Sequence, residues 1–142
     1  MRNLRALNLW RTALVDSVRQ EGPDLSARQM ALALTVYLTD PPHTVRGLAA
    51  TLNISKPAIT RALDRLSVLG YIKRKRDAED RRNVLVQRTV KGSVFLSEFA
   101  DLVIRAGAVS PEDMVAITAA ASAARAAQEA LDRNRAAAVP SP

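Results

Sequence analysis

The chain has 142 residues, no cysteine and a formal net charge of +7. That length suits one domain with a single core, and the lack of cysteine excludes a disulfide framework, a thiolate metal site, a cysteine nucleophile and thiol-based redox sensing. Apolar runs such as Met30 to Leu34 fall far short of the ~20 residues needed to cross a bilayer, so the reading is a soluble protein, compatible with a reducing cytoplasm and without a membrane partner.

Leu4, Leu7, Trp10 or Arg11, Leu14 and Val18 recur at three- and four-residue steps until Gly22-Pro23 stops them, which predicts an amphipathic helix over 3–21. Its opening is rich in arginine, as transit peptides are, but the apolar residues continue the helical pattern and favour a helix of the domain. A second helix starts at Ser26, whose hydroxyl can cap the first turn while Gln29 reaches back, and runs to about Leu38. Asp40-Pro41-Pro42 breaks the chain, and Thr44 can cap a short third helix over Val45 to Leu52. Asn53-Ile54-Ser55 is a turn, in which Asn53 tolerates a left-handed backbone. Ser55 then caps a fourth helix that ends at Gly70. Pro57 is harmless there because first-turn amides have no intrahelical acceptor to lose.

Ile59, Ala62, Leu63, Leu66 and Leu69 fall on one face of that fourth helix and leave Lys56, Thr60, Arg61, Asp64, Arg65 and Val68 on the rest. From Tyr71 the period changes to that of strands. YIKRKR and NVLVQR flank the charged tip DAEDRR, a β-hairpin. After Lys91-Gly92 the residues Val94, Phe95, Phe99, Leu102 and Val103 form another helical stripe, expected to stop at Gly107. Ser110-Pro111-Glu112-Asp113 opens an alanine-rich last helix with a cap, a proline at the first position and acids in the first turn. It is expected to reach about Ala138, with 139–142 as a frayed tail.

The charge is local. Residues 44–92 hold 12 Lys or Arg against 4 Asp or Glu, a net of +8, so the remainder of the chain sums to −1. A confined positive field attracts phosphate polyanions. Within this window, the short helix, three-residue turn and second helix with Leu48, Ala49, Leu52, Ile54, Ile59 and Ala62 facing inward make a helix-turn-helix arrangement, in which Ala49 leaves room for the close crossing. The basic hairpin follows directly. The fold class is thus mainly α with a small β-hairpin wing (α+β).

The run LAATLNISKPAITRALDRLSVLGYIKRKRDAEDRRNVLVQRTVKGSVFL resembles the winged helix-turn-helix core of the MarR (multiple antibiotic resistance regulator) family of transcription factors. The likeness spans about residues 25–96 and is specific at DRR followed by VLV and at T-x-K-G. It implies one domain over 1–142, with dimerisation helices at 1–21 and 93–138. It further implies a homodimer whose two winged lobes straddle a pseudo-palindromic site on double-stranded DNA, a cytoplasmic bacterial protein held at the nucleoid when bound. Two departures from the family pattern stand out: the stretch from Gly92 to Ser110 is short and the last helix is unusually rich in alanine. Arg88, moreover, stands where a leucine is usual.

The resemblance makes the fourth helix the recognition helix, with Ser55, Lys56, Pro57, Thr60, Arg61 and Arg65 on or beside its DNA face. Lys56 and Arg61 are the best candidates for groove contacts, since an arginine can bond two acceptors of guanine at once. Arg82 matches the wing arginine that enters the minor groove, with Asp80 orienting it. Arg81 and the run Lys73, Arg74, Lys75, Arg76 would rest on phosphates. Asp64 is expected to pair with Arg61 or Arg65 along its own helix, and a merely solvated strand position is an equal alternative for Arg74 and Arg76.

Many relatives bind a small aromatic ligand between dimer helices and winged lobe, and Trp10, Met30, Tyr37 and His43 could line such a site. The stronger competing reading places each of them in the core or a loop. One histidine without cysteine builds no usual transition-metal site, and neither a phosphate loop nor a nucleophile with a base is legible, so no cofactor and no enzymatic activity are expected. The functional expectation is a DNA-binding transcriptional repressor. Its rival is a winged-helix module that binds protein within a larger complex.

Overall fold

The structure is a computed structural model that describes residues 2–108 and 111–138. Its elements are helix α1 (Arg2–Arg19), α2 (Ala27–Leu38), strand β1 (His43–Thr44), α3 (Val45–Leu52), α4 (Lys56–Val68), strands β2 (Ile72–Arg76) and β3 (Val84–Arg88), α5 (Val90–Ala108) and α6 (Pro111–Ala137). The boundaries follow from local chemistry. Ser26 and Gln29 form the reciprocal capping box of α2, with bonds of 2.9 and 3.2 Å. Thr44 Oγ1 accepts the Gly47 amide at 2.9 Å to open α3, and Ser55 Oγ accepts the Ala58 amide at 3.3 Å to open α4.

The two ends that shape the helix-turn-helix are also built locally. Asn53 takes the left-handed conformation at φ 52°, so that the Ile54 amide reaches back to the Ala49 carbonyl and the chain turns into α4. At the far end of α4, Gly70 has φ 78°. Its amide bonds the Ser67 carbonyl and the Tyr71 amide bonds that of Leu66, each at 2.9 Å, the paired pattern that closes a helix over a left-handed glycine.

The helix-turn-helix and the sheet share one core. Leu32 and Val36 of α2, Leu48 of α3, and Ile59, Leu63 and Leu66 of α4 are fully buried, and Tyr71, Ile72 and Val86 close the cluster from the sheet side. The strands run in the order β1-β3-β2, all antiparallel. β1 was not foreseen in the sequence. With two residues, one of which also caps α3, it has no alternation to read, and it exists because β3 offers Val86 and Leu85 as partners to His43 and Thr44.

Two apolar stripes differ from expectation. On α1 the residues Leu4, Leu7, Trp10, Leu14 and Val18 are all exposed, whereas Ala13 between them is buried. α1 packs on α5 through this neighbouring face, with Trp10 meeting Phe99 edge-on at 6.2 Å, and leaves the larger stripe open. On α5 Val94 is 52% exposed and the buried set is Gly92, Phe99, Leu102 and Ala106. Gly107 does not stop α5, which reaches Ala108. A β-carbon there would meet only Leu9 of α1, at 3.4 Å, an ordinary contact. α6 reaches Ala137 with nearly all its described side chains exposed. Its expected cap Ser110, and the tail after Ala138, lie outside the described residues.

Gly92 is the tightest point in the fold, since a β-carbon there would overlap the Tyr37 hydroxyl and the Tyr71 carbonyl. Gly92→Ala is therefore expected to destabilise the protein by about 1–3 kcal/mol through overpacking against backbone that has little room to retreat. Asn53→Ala should cost about 1 kcal/mol because alanine pays the full steric penalty of the left-handed region. Asn53→Gly should be neutral or stabilising, and urea melts of the three variants check all of this.

Candidate nucleic-acid interface

α4 presents its polar face to solvent, as the spacing of its apolar residues requires. Lys56, Pro57, Arg61 and Arg65 are exposed, and Ser55 sits at the turn that starts the helix. The half-buried Thr60 donates its hydroxyl to the Lys56 carbonyl at 2.9 Å. Arg65 stands in the last turn, close enough to Tyr71 to influence it. Burial raises the pKa of the Tyr71 phenol above its ordinary value, Glu98 on α5 raises it further, and the Arg65 charge opposes both.

Asp64 does not pair along its own helix. Its carboxylate receives Arg74 Nη2 at 2.7 Å, across from α4 to β2. The expectation of an Arg61 or Arg65 partner fails because β2 lies alongside α4, and Arg74, paired in register with core-facing Val86, points to the helix side of the sheet. Strand alternation sends Arg76 to the same side as Arg74 and sends Lys73 and Lys75 to the other. So the run that looks uniform in sequence divides between two faces. With both partners substantially exposed, at 30% and 56%, the Asp64–Arg74 pair contributes little stability. Its effect is geometric, since it links the recognition-helix candidate to the wing.

The wing tip is a small hydrogen-bonded turn. The Asp77 amide donates to the Asn83 carbonyl at 3.0 Å and the Asn83 amide to the Asp80 carbonyl at 2.9 Å, while Asp77 Oδ1 accepts the Glu79 amide at 3.0 Å. Asp80 Oδ1 accepts both the backbone amide and Nε of Arg82, at 3.1 and 3.2 Å. The Arg82 side chain is nevertheless 84% exposed. A guanidinium braced at its Nε and otherwise open to water can enter a groove without first being ordered. Arg81 lies beside it, exposed, its carbonyl accepting Arg76 Nη1 at 3.4 Å.

The four residues considered for a ligand site have different surroundings. Trp10 rests on Phe99, Met30 is half-buried on α2, and Tyr37 hydrogen-bonds to backbone at the start of β2 and of α5. His43 lines an open hollow of about 410 Å³ together with Pro41, Pro42, Lys73, Leu85, Val86, Gln87 and Arg88. Among the described residues no group of three metal-ligating side chains comes together, and no helix is long and apolar enough to cross a membrane.

Arg88, visible in sequence only as a departure from the family pattern, is a structural residue. Its Nε donates to the Val36 carbonyl at 2.8 Å and its Nη2 to that of Thr39 at 2.9 Å, so it neutralises the negative end of α2. It also stands 5.9 Å from the centre of the Tyr37 ring. No spacing rule could have found this role, because donor and acceptors are about 50 residues apart.

Residues 23–83, which hold α2 to α4, β2 and the wing tip, match the model of the MarR family. No curated protein matches the chain. Among solved structures, YusO from Bacillus subtilis is 22% identical, with 89% of this chain and 90% of that one covered at a TM-score of 0.62. A mutant of MepR from S. aureus is 16% identical over 89% of this chain and 94% of its own, with a TM-score of 0.61. A MarR-family transcriptional regulator from Rhodococcus sp. RHA1 is 23% identical over 74% and 71%, with a TM-score of 0.55. Residues 23–83 are thus similar to the MarR family, and the chain shares the winged-helix fold of these structures.

Proposed function

We propose that this winged-helix transcriptional regulator binds double-stranded DNA sequence-specifically, as a homodimer on a pseudo-palindromic site, and represses transcription there. The observation that carries the reading is the pairing of two exposed basic elements on one lobe. Lys56 and Arg61 project from α4, and Arg82 projects from a wing tip where Asp80 braces it. A helix of this kind fits the major groove, and a free arginine on a hairpin fits the minor groove beside it. Ser55, Pro57, Thr60 and Arg65 flank the first contact. Arg81, Arg74 and Arg76 are assigned to phosphates, as is Lys73 more weakly, since it faces away from α4. The homodimer is supported by the open stripe of α1 and by Ile104 of α5, 67% exposed, surfaces that a second copy would cover. The single-domain division, with the lobe over about 25–96 and flanking dimerisation helices, belongs to the same proposal.

Relief by a small aromatic ligand is a further part of the proposal. It is supported by the hollow beside His43, whose volume suits such a molecule. An aromatic acid at millimolar concentration should then weaken DNA binding, and unchanged affinity rejects this part.

Binding should fall steeply with salt, with a log–log slope of roughly −4 or steeper if several phosphates are contacted. Absence of binding at low salt would instead favour the rival reading of a protein-interaction module. Arg82→Ala is expected to weaken specific binding by about 1–3 kcal/mol at unchanged melting temperature. Asp80→Ala should reduce the ratio of specific to non-specific affinity while leaving non-specific binding equal or stronger, because it frees Arg82 and deletes a negative charge. Titrations with operator and random DNA check both.

A further inference from the structure

The lobe and the α1–α5 pair meet at a joint whose centre is one hydroxyl group. Tyr37 Oη, from α2, donates to the Tyr71 carbonyl at 2.5 Å, with the Thr89 carbonyl a second acceptor within reach at 3.2 Å. It accepts the Thr89 amide at 2.9 Å. Thr89 in turn donates its hydroxyl to the Gly70 carbonyl at 2.7 Å and accepts the Gly92 amide at 3.0 Å, so it caps α5 while gripping the end of α4. Gly92 packs so closely on Tyr37 and Tyr71 that no β-carbon fits. One turn later Phe95 stacks on Tyr71 at 4.4 Å and 17°.

Among the described residues, α5 otherwise packs mainly on α1, with Phe95 and Leu96 reaching the lobe core. The junction of α5 with the lobe therefore rests on these residues and Leu96, and the T-x-K-G motif, Thr89 to Gly92, supplies its hydrogen-bonded part. Arg88 stands against the Tyr37 ring from the side of the α2 terminus. A hydroxyl so placed bonds the start of β2 to the start of α5, and Thr89 carries the link on to the end of α4; a phenylalanine at position 37 fills the same space and bonds neither.

We propose that the Tyr37 hydroxyl is a positioning group that sets the angle between the winged lobe and the α1–α5 pair, and through it the separation of the two recognition helices. The second half rests on the dimeric DNA-binding reading above; the first half does not. Tyr37 touches no DNA in this account and acts through the placement of α4.

The chain has no native cysteine, so spin labels at Ala50→Cys on α3 and Asp101→Cys on α5, both exposed, report the angle within one subunit when labelled chains are diluted into unlabelled protein. In the Tyr37→Phe background the distance distribution should broaden by roughly 1.5-fold or more, as expected of a joint that opens locally. Ile59→Val, a mild truncation in the core away from the joint, should lower stability and leave the width unchanged. An unchanged width in Tyr37→Phe, or equal broadening in Ile59→Val, overturns the assignment. On DNA, binding sites that differ only in half-site spacing should be discriminated by the parent protein and about equally bound by Tyr37→Phe. A parent protein that binds no DNA refutes the functional reading, and the spin-label distances then decide the joint alone. Retained spacing preference in Tyr37→Phe overturns the link to the recognition helices.

Discussion

The contact of Gly92 with the Tyr37 hydroxyl and the Tyr71 carbonyl constrains more of this molecule than its size suggests. It brings the start of α5 against the end of α2 and the start of β2 at the point where α4 finishes. The core of Leu32, Val36, Leu48, Ile59, Leu63 and Leu66 provides the apolar energy of the lobe, but dispersion and burial have no direction. Hydrogen bonds and the loss of a β-carbon are directional, and here they convert a collapsed cluster into one arrangement of helix, sheet and connecting helix. Burial also raises the Tyr71 pKa. A neutral phenol is thereby favoured at this junction, where stacking on Phe95 removes it from water.

The positive charge of residues 44–92 has the same dependence on frame. In sequence it is one block. In the fold it separates into side chains that stand free on α4, an Arg74 tied to Asp64 across two elements, a wing arginine braced by Asp80, lysines on the opposite sheet face, and Arg88 spent on backbone carbonyls. Counting the block overstates what is available to a polyanion, since at least Arg74 and Arg88 already have partners. It understates the organisation, since the partnered residues are those that hold the free ones in place.

Much of the local architecture was legible from residue chemistry. Ser26 with Gln29, Thr44, Ser55, Asn53 and Gly70 act at the positions their side chains or conformational freedom suit, and the ends of α2, α3 and α4 followed from them. The exposed face of α4 was legible because burial on a helix repeats every 3.6 residues. β1 was not, because a two-residue strand has no period and is defined by its partner. The faces of α1 were misjudged for a related reason. Periodicity finds an apolar stripe but does not say whether it meets the same chain, and here Ala13 is buried and Trp10 meets Phe99 of α5 while Leu4, Leu7 and Val18 stay exposed.

The candidate site divides along the same line. The Asp80–Arg82 brace was reached through the family resemblance, and the turn that holds it spans two residues. Asp64 was assigned to the wrong arginine because a local rule sees only neighbours three or four positions away, whereas its partner stands ten positions on, across from α4 on β2. What the sequence by itself determined is what short-range stereochemistry controls: caps, turns, helix faces, the hairpin and the position of the basic segment. Only the tertiary structure decided which charges are spent, which apolar faces stay open, and that Tyr37, Thr89 and Gly92 form one joint. The joint depends on groups 19 to 52 residues apart reaching within hydrogen-bond distance, and no local pattern encodes that distance.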